Sequence, residues 1–472
     1  MIAPARVIPM AVRGHICRHV QKSRRLLSSL RRGVVDPGQQ RLTRVSVSCM
    51  AAADGAHDSC KGSRLSSPAA AAAPSHVDMM WDDGHSCSVD ALWLRDQCMC
   101  ADCRHPDSLH RNVDTFSLTD DQQHAINAEL SGQDQVCVTW LDGHTSRFAT
   151  DWLRVHCRQD SQIGGRPLTA LEHAAPREPW TATQLERDLT RVSHDEFETA
   201  AGLSRTLSGL WRHGVALLND VPCNEGATRA VTSRLGGIAR TVYEDLWRTA
   251  PNDADGSDDR AYSRAYLGLH TDGAFVTQPP AVQVFHSYIA GQPVRDEHAH
   301  AAKNKENGSA GESILADGLQ AATLLRERHP DTFDYLCRTP LAYQFCTPDV
   351  HGGAGGGLLH AVAEHPVLRY DALGNFRQVC YNTHHRAPQL CSQAHELYRH
   401  LRVFHSLLYS DQSVFSVRLQ PGSVILVDNL RVLHGRTAFS GDRVLAGCYL
   451  SADQYLCALR EHVTPGGVLE LS

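Results

Sequence analysis

The stretch LGLHTDGAF, residues 267–275, places His270 and Asp272 two positions apart within otherwise apolar surroundings. In a β-strand, residues i and i+2 face the same side, so we expect this imidazole and this carboxylate to converge on one point. The pair alone also suits a strand edge with two solvated polar side chains, because short patterns are common. A third ligand elsewhere in the chain is needed to favour a metal site.

A candidate third ligand follows a second apolar run. Residues 424–428 predict a strand, and the segment DNLRVLHGRTAF after it contains His434, 164 positions beyond His270. Two histidines and one carboxylate form the facial triad that holds Fe(II) and leaves positions open for 2-oxoglutarate and O2. Arg443, nine residues after His434, opens the next predicted strand. Its planar guanidinium suits the remote carboxylate of 2-oxoglutarate.

The size and composition of the chain exclude several classes of protein. Its 472 residues allow two or three domains with sizeable cores, and its net charge of −6 does not favour nucleic acid as a partner. No apolar run approaches the length of a membrane span. The sixteen cysteines are scattered, which favours a reducing compartment with some of them binding metal.

The first 78 residues predict a targeting and linker segment. Residues 1–35 contain eight lysines or arginines and no acid, a composition typical of an organelle transit peptide. A disordered basic tail, or a true start nearer Met50 or Met79, remains an alternative. The alanine-rich run SPAAAAAPS then reads as low-complexity linker.

Residues 79–157 predict a small zinc-binding domain rich in β-strands. It contains Cys98, Cys100 and Cys103, and a predicted hairpin with a D-G turn sets His144 just after the turn. Three thiolates and an imidazole are a ligand set for a closed, tetrahedral structural zinc. The alternative is three ordinary loop cysteines. Residues 158–180 read as a linker.

Residues 181–472 predict the catalytic domain, in which helix and strand patterns alternate before a β-rich end. The pattern predicts strands at 214–220, 281–289 and 424–428, and helices at 204–212, 226–237, 318–328 and 392–409. The expected class is therefore α+β with a mainly β catalytic domain.

The sequence resembles the γ-butyrobetaine/trimethyllysine dioxygenases of carnitine biosynthesis, most closely the trimethyllysine type. The resemblance spans most of residues 80–465. It lies in LRDQCMCADC, TWLDGHTSRFATDWL, HTDGAFVTQPPAVQVFH, VDNLRVLHGR and GCYLSAD. Two features depart from the family pattern: the polar insert 294–311, and Leu430 where the family usually has tryptophan.

The resemblance implies a double-stranded β-helix (jelly-roll) oxygenase fold behind the zinc domain, iron ligands at His270, Asp272 and His434, and Arg443 as the 2-oxoglutarate anchor. Ser313 falls where the family has a hydroxyl that contacts this cosubstrate. The resemblance also implies a homodimer, and ascorbate is the expected reductant. The basic, acid-free residues 1–35 predict import into the mitochondrial matrix, with a cytoplasmic protein as the alternative.

The expected substrate carries a trimethylammonium group, which has no N–H to donate and is best bound by aromatic faces. By resemblance, the substrate site contains Tyr243, Trp247, Asp259, Tyr262, Asn382 and Tyr449. We expect Tyr243 and Trp247 to lie one helical turn apart. Core aromatic residues are the alternative interpretation.

Asp259 falls where trimethyllysine-type members carry an acid and butyrobetaine-type members an amide. An acid suits the α-ammonium that only trimethyllysine carries. We therefore expect hydroxylation of N6-trimethyllysine at C3. The alternatives are hydroxylation of γ-butyrobetaine to carnitine and, from a different class, a non-catalytic scaffold that retains the oxygenase fold.

Overall fold

The computed structural model describes residues 41–49, 75–156, 176–241, 243, 245–249, 263–292, 311–348, 358–372, 374–388 and 394–463. The chain divides into two compact units, residues 1–165 and 166–471. Most of the predicted transit peptide and linkers, and nearly all of the insert 294–311, lie outside the described residues.

The first unit consists of two three-stranded antiparallel sheets and short helices. One sheet has the order β1-β2-β3 and the other β4-β5-β6. Their strands are β1 (Leu42–Cys49), β2 (Ser75–Trp81), β3 (Ser86–Asp90), β4 (Ala125–Ser131), β5 (Gln135–Trp140) and β6 (Thr145–Ala149). The helices are α1 (Ala91–Asp96), α2 (Asp120–Gln123) and α3 (Thr150–His156), with a 3-10 turn at Thr115–Ser117.

Alternating side chains of both sheets build one core, as expected for strands with a single buried face. Val77, Met79 and Trp81 of β2 and Val138 and Trp140 of β5 are almost fully buried in it. The predicted domain start at residue 79 is wrong. Strand β1 pairs along the whole of β2, so part of the supposed leader and linker belongs to this sheet.

The second unit contains fourteen strands in the part of the chain that the structure describes. They are β7 (Thr190–Ser193), β8 (Val215–Asn219), β9 (Trp247–Thr249), β10 (Leu267–His270), β11 (Val282–Ile289), β12 (Ser313–Asp317), β13 (Pro340–Pro348), β14 (Leu358–Pro366), β15 (Leu368–Tyr370), β16 (Phe376–Val379), β17 (Phe415–Val417), β18 (Val424–Asp428), β19 (Val432–Arg436) and β20 (Val444–Leu450).

Eight helices accompany these strands within the same described residues. They are α4 (Ala182–Asp188), α5 (His194–Phe197), α6 (Ala200–His213), α7 (Glu225–Arg234), α8 (Gly318–Arg328), α9 (Pro330–Arg338), α10 (Ala394–Leu408) and α11 (Ala452–His462). None of the described helices is long and apolar enough to cross a membrane.

Two mainly antiparallel sheets form the centre of this unit. The larger has the order β7-β8-β18-β11-β20-β9 and the smaller β10-β19-β12-β17. Among the described strands of these two sheets, only β7 and β8 run parallel. Side chains from both sheets, among them Leu217, Leu315, Val427 and Val432, share one hydrophobic cluster. The sheets therefore pack face to face, and the predicted mixed α and β class with a β-rich catalytic unit is confirmed.

Helices cover the outer faces of both sheets. Helices α6, α7 and α11 contribute buried side chains to the cluster on the larger sheet, and α8, α9 and α10 to the cluster on the smaller one. Helix α6 begins at the Thr199 cap, whose hydroxyl accepts a hydrogen bond from the N–H of Gly202. The helices therefore bury the faces of the two sheets that point away from each other.

A buried ion pair joins several of these elements. Arg431 and Asp317, both with fully buried side chains, make two hydrogen bonds of 2.8 and 2.9 Å. Asp317 also caps α8 by accepting from the N–H of Leu319, and it accepts from the N–H of Trp180. The pair thereby fixes the connection between β18 and β19, which leads into His434.

Candidate metal centres

Three of the predicted ligands meet where β10 lies beside β19. His270 ends β10 and is directly opposite His434 in β19, with the ring centroids 4.5 Å apart. One carboxylate oxygen of Asp272 lies 3.3 Å from Nε2 of His270, and the other lies 3.6 Å from Nε2 of His434. One ligand atom from each residue fits within 4.8 Å of the other two, as a shared metal ion requires.

Asp272 reaches this point from a turn and not from a strand. Strand β10 ends at His270, and Gly273 adopts a φ of +71°, a left-handed conformation that favours glycine. Asn429 holds the turn, since its side chain accepts from the N–H of Asp272 at 2.7 Å and donates to the carbonyl of the same residue at 3.0 Å. The expected convergence is found, but the strand explanation for it is wrong.

The protonation states suit metal binding. Burial opposes ionisation of Asp272, but its contacts with His270 and His434 hold the pKa of this carboxyl well below its usual value. Burial lowers the pKa of His434, which keeps the imidazole neutral. Nδ1 of His270 lies 2.8 Å from the carbonyl of Gly268, so a proton there leaves the Nε2 lone pair for a metal.

Arg443 lies immediately before β20 and is a buried cation. Its side chain packs over the ring of Phe439, and burial together with the charge of Arg436 lowers its pKa to about 9. Among the described residues, no acidic side chain forms an ion pair with Arg443. A buried guanidinium in this state favours a bound anion.

Ser313 and Arg436 face each other across β12 and β19, the strand that carries His434. Ser313 opens β12 directly opposite Arg436, which is two residues beyond His434 in β19. The Arg436 guanidinium donates to the carbonyls of Ser263 and Ala265, at 2.7 and 3.2 Å. Arg436 therefore ties the segment that leads into β10 to the strand that carries His434.

Three of the predicted substrate residues come together in one aromatic group. The ring of Tyr449 stacks against that of Tyr243 at 6.3 Å and lies 6.1 Å from that of Trp247. The Tyr449 hydroxyl donates to Asp272 at 2.9 Å, so this group reaches the candidate iron ligands. The predicted helical spacing is wrong because Trp247 begins β9. Its ring passes Gly447, where a Cβ would lie 2.2 Å from the indole.

Asn382 is buried beside the same turn. Its Nδ2 donates to the carbonyl of Thr271, between the two candidate ligands, and its Oδ1 accepts from the N–H groups of His384 and His385. The ring of His384 lies 6.4 Å from that of His270. Asp259 and Tyr262, the other predicted substrate residues, lie outside the described residues.

The first unit brings together the four predicted zinc ligands. Nε2 of His144 lies 3.3 Å from Sγ of Cys98 and 3.7 Å from Sγ of both Cys100 and Cys103. A tetrahedral zinc with ordinary bond lengths would separate such atoms by about 3.6 Å. The donor set therefore fits zinc.

Neighbouring residues hold this cluster in place. Asp142 accepts from the N–H of His144 within the hairpin turn, and Arg95 donates to Sγ of Cys103 at 2.9 Å. Burial raises the pKa of Cys103 to about 12, so its thiol would lose a proton only when a metal binds.

Three site residues have no predicted role from the sequence, namely Gln283, Asn429 and Arg436. Gln283 of β11 donates to the carboxylate of Asp272. It is an amide between Val282 and Val284 at the start of a buried strand, and this signal could have identified it. Asn429 and Arg436 lie in the quoted segment around His434, but their contacts depend on the turn after β10 and on Ser263, which spacing does not reveal.

Two family models match the chain. The model described as taurine catabolism dioxygenase TauD, TfdA family matches residues 176–449, more than half of the chain and all three candidate iron ligands. The model described as Gamma-butyrobetaine hydroxylase-like, N-terminal matches residues 70–154, which include the four candidate zinc ligands.

Individual relatives match across most of the chain. The mitochondrial trimethyllysine dioxygenase of Rattus norvegicus is 30% identical over 381 residues, 79% of this chain and 82% of the relative. That of Bos taurus is 29% identical over 379 residues, with the same coverage. Dioxygenase str8 of Strobilurus tenacellus is 29% identical over 379 residues, 76% of this chain and 82% of the relative.

Proposed function

Because this chain belongs to the taurine catabolism dioxygenase TauD, TfdA family, we propose that it hydroxylates N6-trimethyllysine at C3 in carnitine biosynthesis, using Fe(II) and 2-oxoglutarate. The observation that carries this proposal is the hydrogen bond from Tyr449 to Asp272. It joins a group of aromatic faces, suited to a trimethylammonium ion, to the candidate iron ligands.

The roles of the metal and cosubstrate residues follow from their chemistry. His270, Asp272 and His434 would hold Fe(II) on one face, and Arg443 would bind the remote carboxylate of 2-oxoglutarate with Ser313 as a further contact. When bound, the iron, 2-oxoglutarate and O2 supply the oxidation that places a hydroxyl group on carbon and releases succinate and CO2. The two facing sheets support the proposal that this unit is a double-stranded β-helix.

The aromatic residues would bind and orient the substrate. Tyr243, Trp247 and Tyr449 would attract the trimethylammonium group through their ring faces, since this ion has no N–H to donate. Tyr262 would complete the site. Asn382 has one amide hydrogen beyond the one given to Thr271, and this hydrogen would be available to the substrate.

Asp259 supports trimethyllysine over γ-butyrobetaine. Both compounds present the same trimethylammonium group, and they differ at the other end, where only trimethyllysine has an ammonium beside its carboxylate. The Asp259 carboxylate would make a charge-assisted contact with that ammonium. Loss of such a contact costs about 1.5–3 kcal/mol, which lowers kcat/KM roughly ten- to a hundred-fold.

Mass spectrometry of the products tests the choice of substrate. We expect one added oxygen atom on trimethyllysine, with Asp259→Asn reducing this reaction far more than any reaction with γ-butyrobetaine. Asp258→Asn, in the same segment, is the matched control and should leave the preference intact. More efficient hydroxylation of γ-butyrobetaine by the unmodified enzyme would instead support the alternative function, conversion of γ-butyrobetaine to carnitine. The name of the N-terminal family model favours that alternative.

The scaffold alternative is tested by the iron ligands. His270→Ala, Asp272→Ala and His434→Ala should each abolish iron-dependent decarboxylation of 2-oxoglutarate in proteins whose circular dichroism is unchanged. Full succinate production by His434→Ala would reject the ligand assignment. A protein with no turnover of 2-oxoglutarate under any condition would favour the scaffold.

We propose that Cys98, Cys100, Cys103 and His144 bind one structural zinc ion. Metal analysis should find about one tightly held zinc per chain, apart from exchangeable iron. The Cys100→Ser/Cys103→Ser protein should lose this zinc, whereas Cys137→Ser, in the same unit but outside the cluster, should retain it. Equal zinc contents in the two variants would reject the site.

We also propose import into mitochondria and assembly as a homodimer. The acid-free basic start and the mitochondrial names of the relatives support import. Residues 1–40 fused to a fluorescent reporter should direct it to mitochondria, and a diffuse cytosolic signal would contradict this.

The homodimer is tested separately. Light scattering during size-exclusion chromatography should give twice the chain mass.

A further inference from the structure

The carboxylate of Asp272 has two hydrogen-bond donors that are not themselves candidate metal ligands. Its Oδ2 accepts from the hydroxyl of Tyr449 at 2.9 Å and from Nε2 of Gln283. Gln283 of β11 and Tyr449 of β20 are direct cross-strand neighbours, and Nε2 of Gln283 lies 3.4 Å from the Tyr449 hydroxyl. The three groups form one hydrogen-bonded bridge.

Gln283 is costly as a purely structural residue. Its side chain is 2% exposed and lies between Val282 and Val284, and its Oε1 has no hydrogen-bond partner among the described residues. A buried amide with an unpaired oxygen is less favourable than an apolar side chain of the same size. What Gln283 gains in return is its contact with Asp272.

We propose that Gln283 is a positioning residue: together with Tyr449 it fixes Oδ2 of Asp272, which leaves Oδ1 to the metal and connects the aromatic site to the metal ligand. This inference rests on the proposed function for its substrate but not for its metal. Donors that hold a ligating carboxylate typically change metal affinity or activity ten- to a hundred-fold when removed.

The same hydrogen-bonded bridge would couple substrate binding to the orientation of the metal ligand Asp272. The ring of Tyr449 contacts Tyr243 and Trp247, and its hydroxyl contacts Asp272. A trimethylammonium group held on these rings would restrict the Tyr449 ring and therefore the direction of its hydroxyl. The metal ligand would be most firmly oriented when substrate is present, which favours hydroxylation over unproductive consumption of 2-oxoglutarate.

The test measures metal affinity without any substrate. Mn(II), which is stable in air, is titrated into metal-free Gln283→Leu and Tyr449→Phe proteins by calorimetry, beside the unmodified protein. We expect the dissociation constant to rise about ten-fold or more in each. In the double variant the rise should be smaller than the product of the two single effects, because both donors serve one oxygen.

Controls separate this positioning role from a structural one. Gln378→Leu removes another buried glutamine, one that accepts from Arg369, and it should lower the melting temperature without changing Mn(II) affinity. Folded Gln283→Leu or Tyr449→Phe protein with unchanged affinity would overturn the proposal. If Gln283→Leu does not fold, Gln283→Met and Tyr449→Phe decide the question by the same measurement.

A second measurement addresses the link to substrate. The ratio of hydroxylated product to succinate should fall in Tyr449→Phe and in Gln283→Leu, and an unchanged ratio in both would reject the link. If the unmodified protein binds Mn(II) but hydroxylates neither candidate substrate, the proposed function fails while the affinity test of Gln283 still stands.

Discussion

Arg443 is a buried guanidinium whose charge has no acidic partner in the described part of the chain, and this state makes its role testable. We expect Arg443→Ala to raise the KM for 2-oxoglutarate about ten- to a hundred-fold, because the remote carboxylate loses a charge-assisted contact. The KM of Arg443→Lys should lie between those of the unmodified protein and Arg443→Ala, since lysine keeps the charge but lacks the planar guanidinium. Succinate formation measures both.

The control for this prediction is a surface arginine. Arg338 is largely exposed, and its ion pair within the described residues is with Asp334, one helical turn away. Arg338→Ala should leave the KM for 2-oxoglutarate unchanged. An unchanged KM in Arg443→Ala as well would contradict the anchor assignment.

His286 should make the protein sensitive to acid. It is fully buried in β11 beside Thr228, and burial lowers its pKa from 6.5 to about 4. As the pH falls below 6.5, His286 becomes protonated in the unfolded chain but stays neutral in the folded chain until the pH approaches 4. Protonation therefore favours the unfolded chain, and the free energy of unfolding falls. Between pH 7.5 and 5 this loss amounts to about 2 kcal/mol.

Urea denaturation at both pH values measures the contribution. His286→Gln lacks the titrating group, so its free energy of unfolding should fall by about 2 kcal/mol less than that of the unmodified protein over this interval. All other titrating groups are common to the two proteins. Parallel losses would show that His286 does not contribute.

At the scale of single elements, the Arg431–Asp317 pair gives the sharpest prediction for stability. Arg431→Met would leave the Asp317 carboxylate buried without its counter-charge, which typically costs about 3–5 kcal/mol. Arg338→Met breaks an exposed pair on α9 and should cost about 0.5 kcal/mol or less. Denaturant unfolding compares the two, and similar losses would contradict the importance of burial.

Elements with strong local patterns are predicted well from the sequence. Helix α8 has the predicted bounds, and α10 differs from its prediction by one or two residues at each end, because the apolar period of a helix is written in consecutive residues. Strand β18 also matches. The paired histidines were recoverable because each lies in or directly beside a recognisable strand.

The errors concern elements that depend on distant partners. Strand β9 has three residues and exists because it pairs with β20, about 200 positions later, so the local sequence around Trp247 suggested a helix. The turn that delivers Asp272 depends on Asn429, and the contacts of Gln283 depend on Tyr449. No local period encodes such contacts. The resemblance to the dioxygenase family, which the family models and relatives confirm, points to the same candidate ligands as the sequence motifs.

At the scale of the whole molecule, β1 shows that residues well before Ser75 belong to the first unit. A chain that starts at Ser75 lacks β1, loses the buried side chain of Leu42 and exposes the edge of β2, whereas a chain that starts at Arg41 keeps the full sheet. Burial of one leucine is worth about 1.5–3 kcal/mol. We expect the shorter chain to release zinc to a chromogenic chelator at a lower temperature on heating.

The longer chain is the control for this experiment, since both contain all four candidate zinc ligands. On heating, light scattering should also rise at a lower temperature for the shorter chain, because the uncovered edge of β2 can pair with other chains and cause aggregation. Release of zinc at the same temperature from both chains would mean that β1 adds nothing to the unit.

The pairing of His270 with His434 has a consequence for the abundance of the protein in cells. The two imidazoles face each other only when β10 and β19 have paired, so an unfolded chain offers no comparable set of ligands. Fe(II) at a hundred times its dissociation constant would add about 2.7 kcal/mol to the free energy of unfolding. In cells starved of iron, the larger unfolded fraction would be open to proteases, and the amount of enzyme would decline without any change in gene expression.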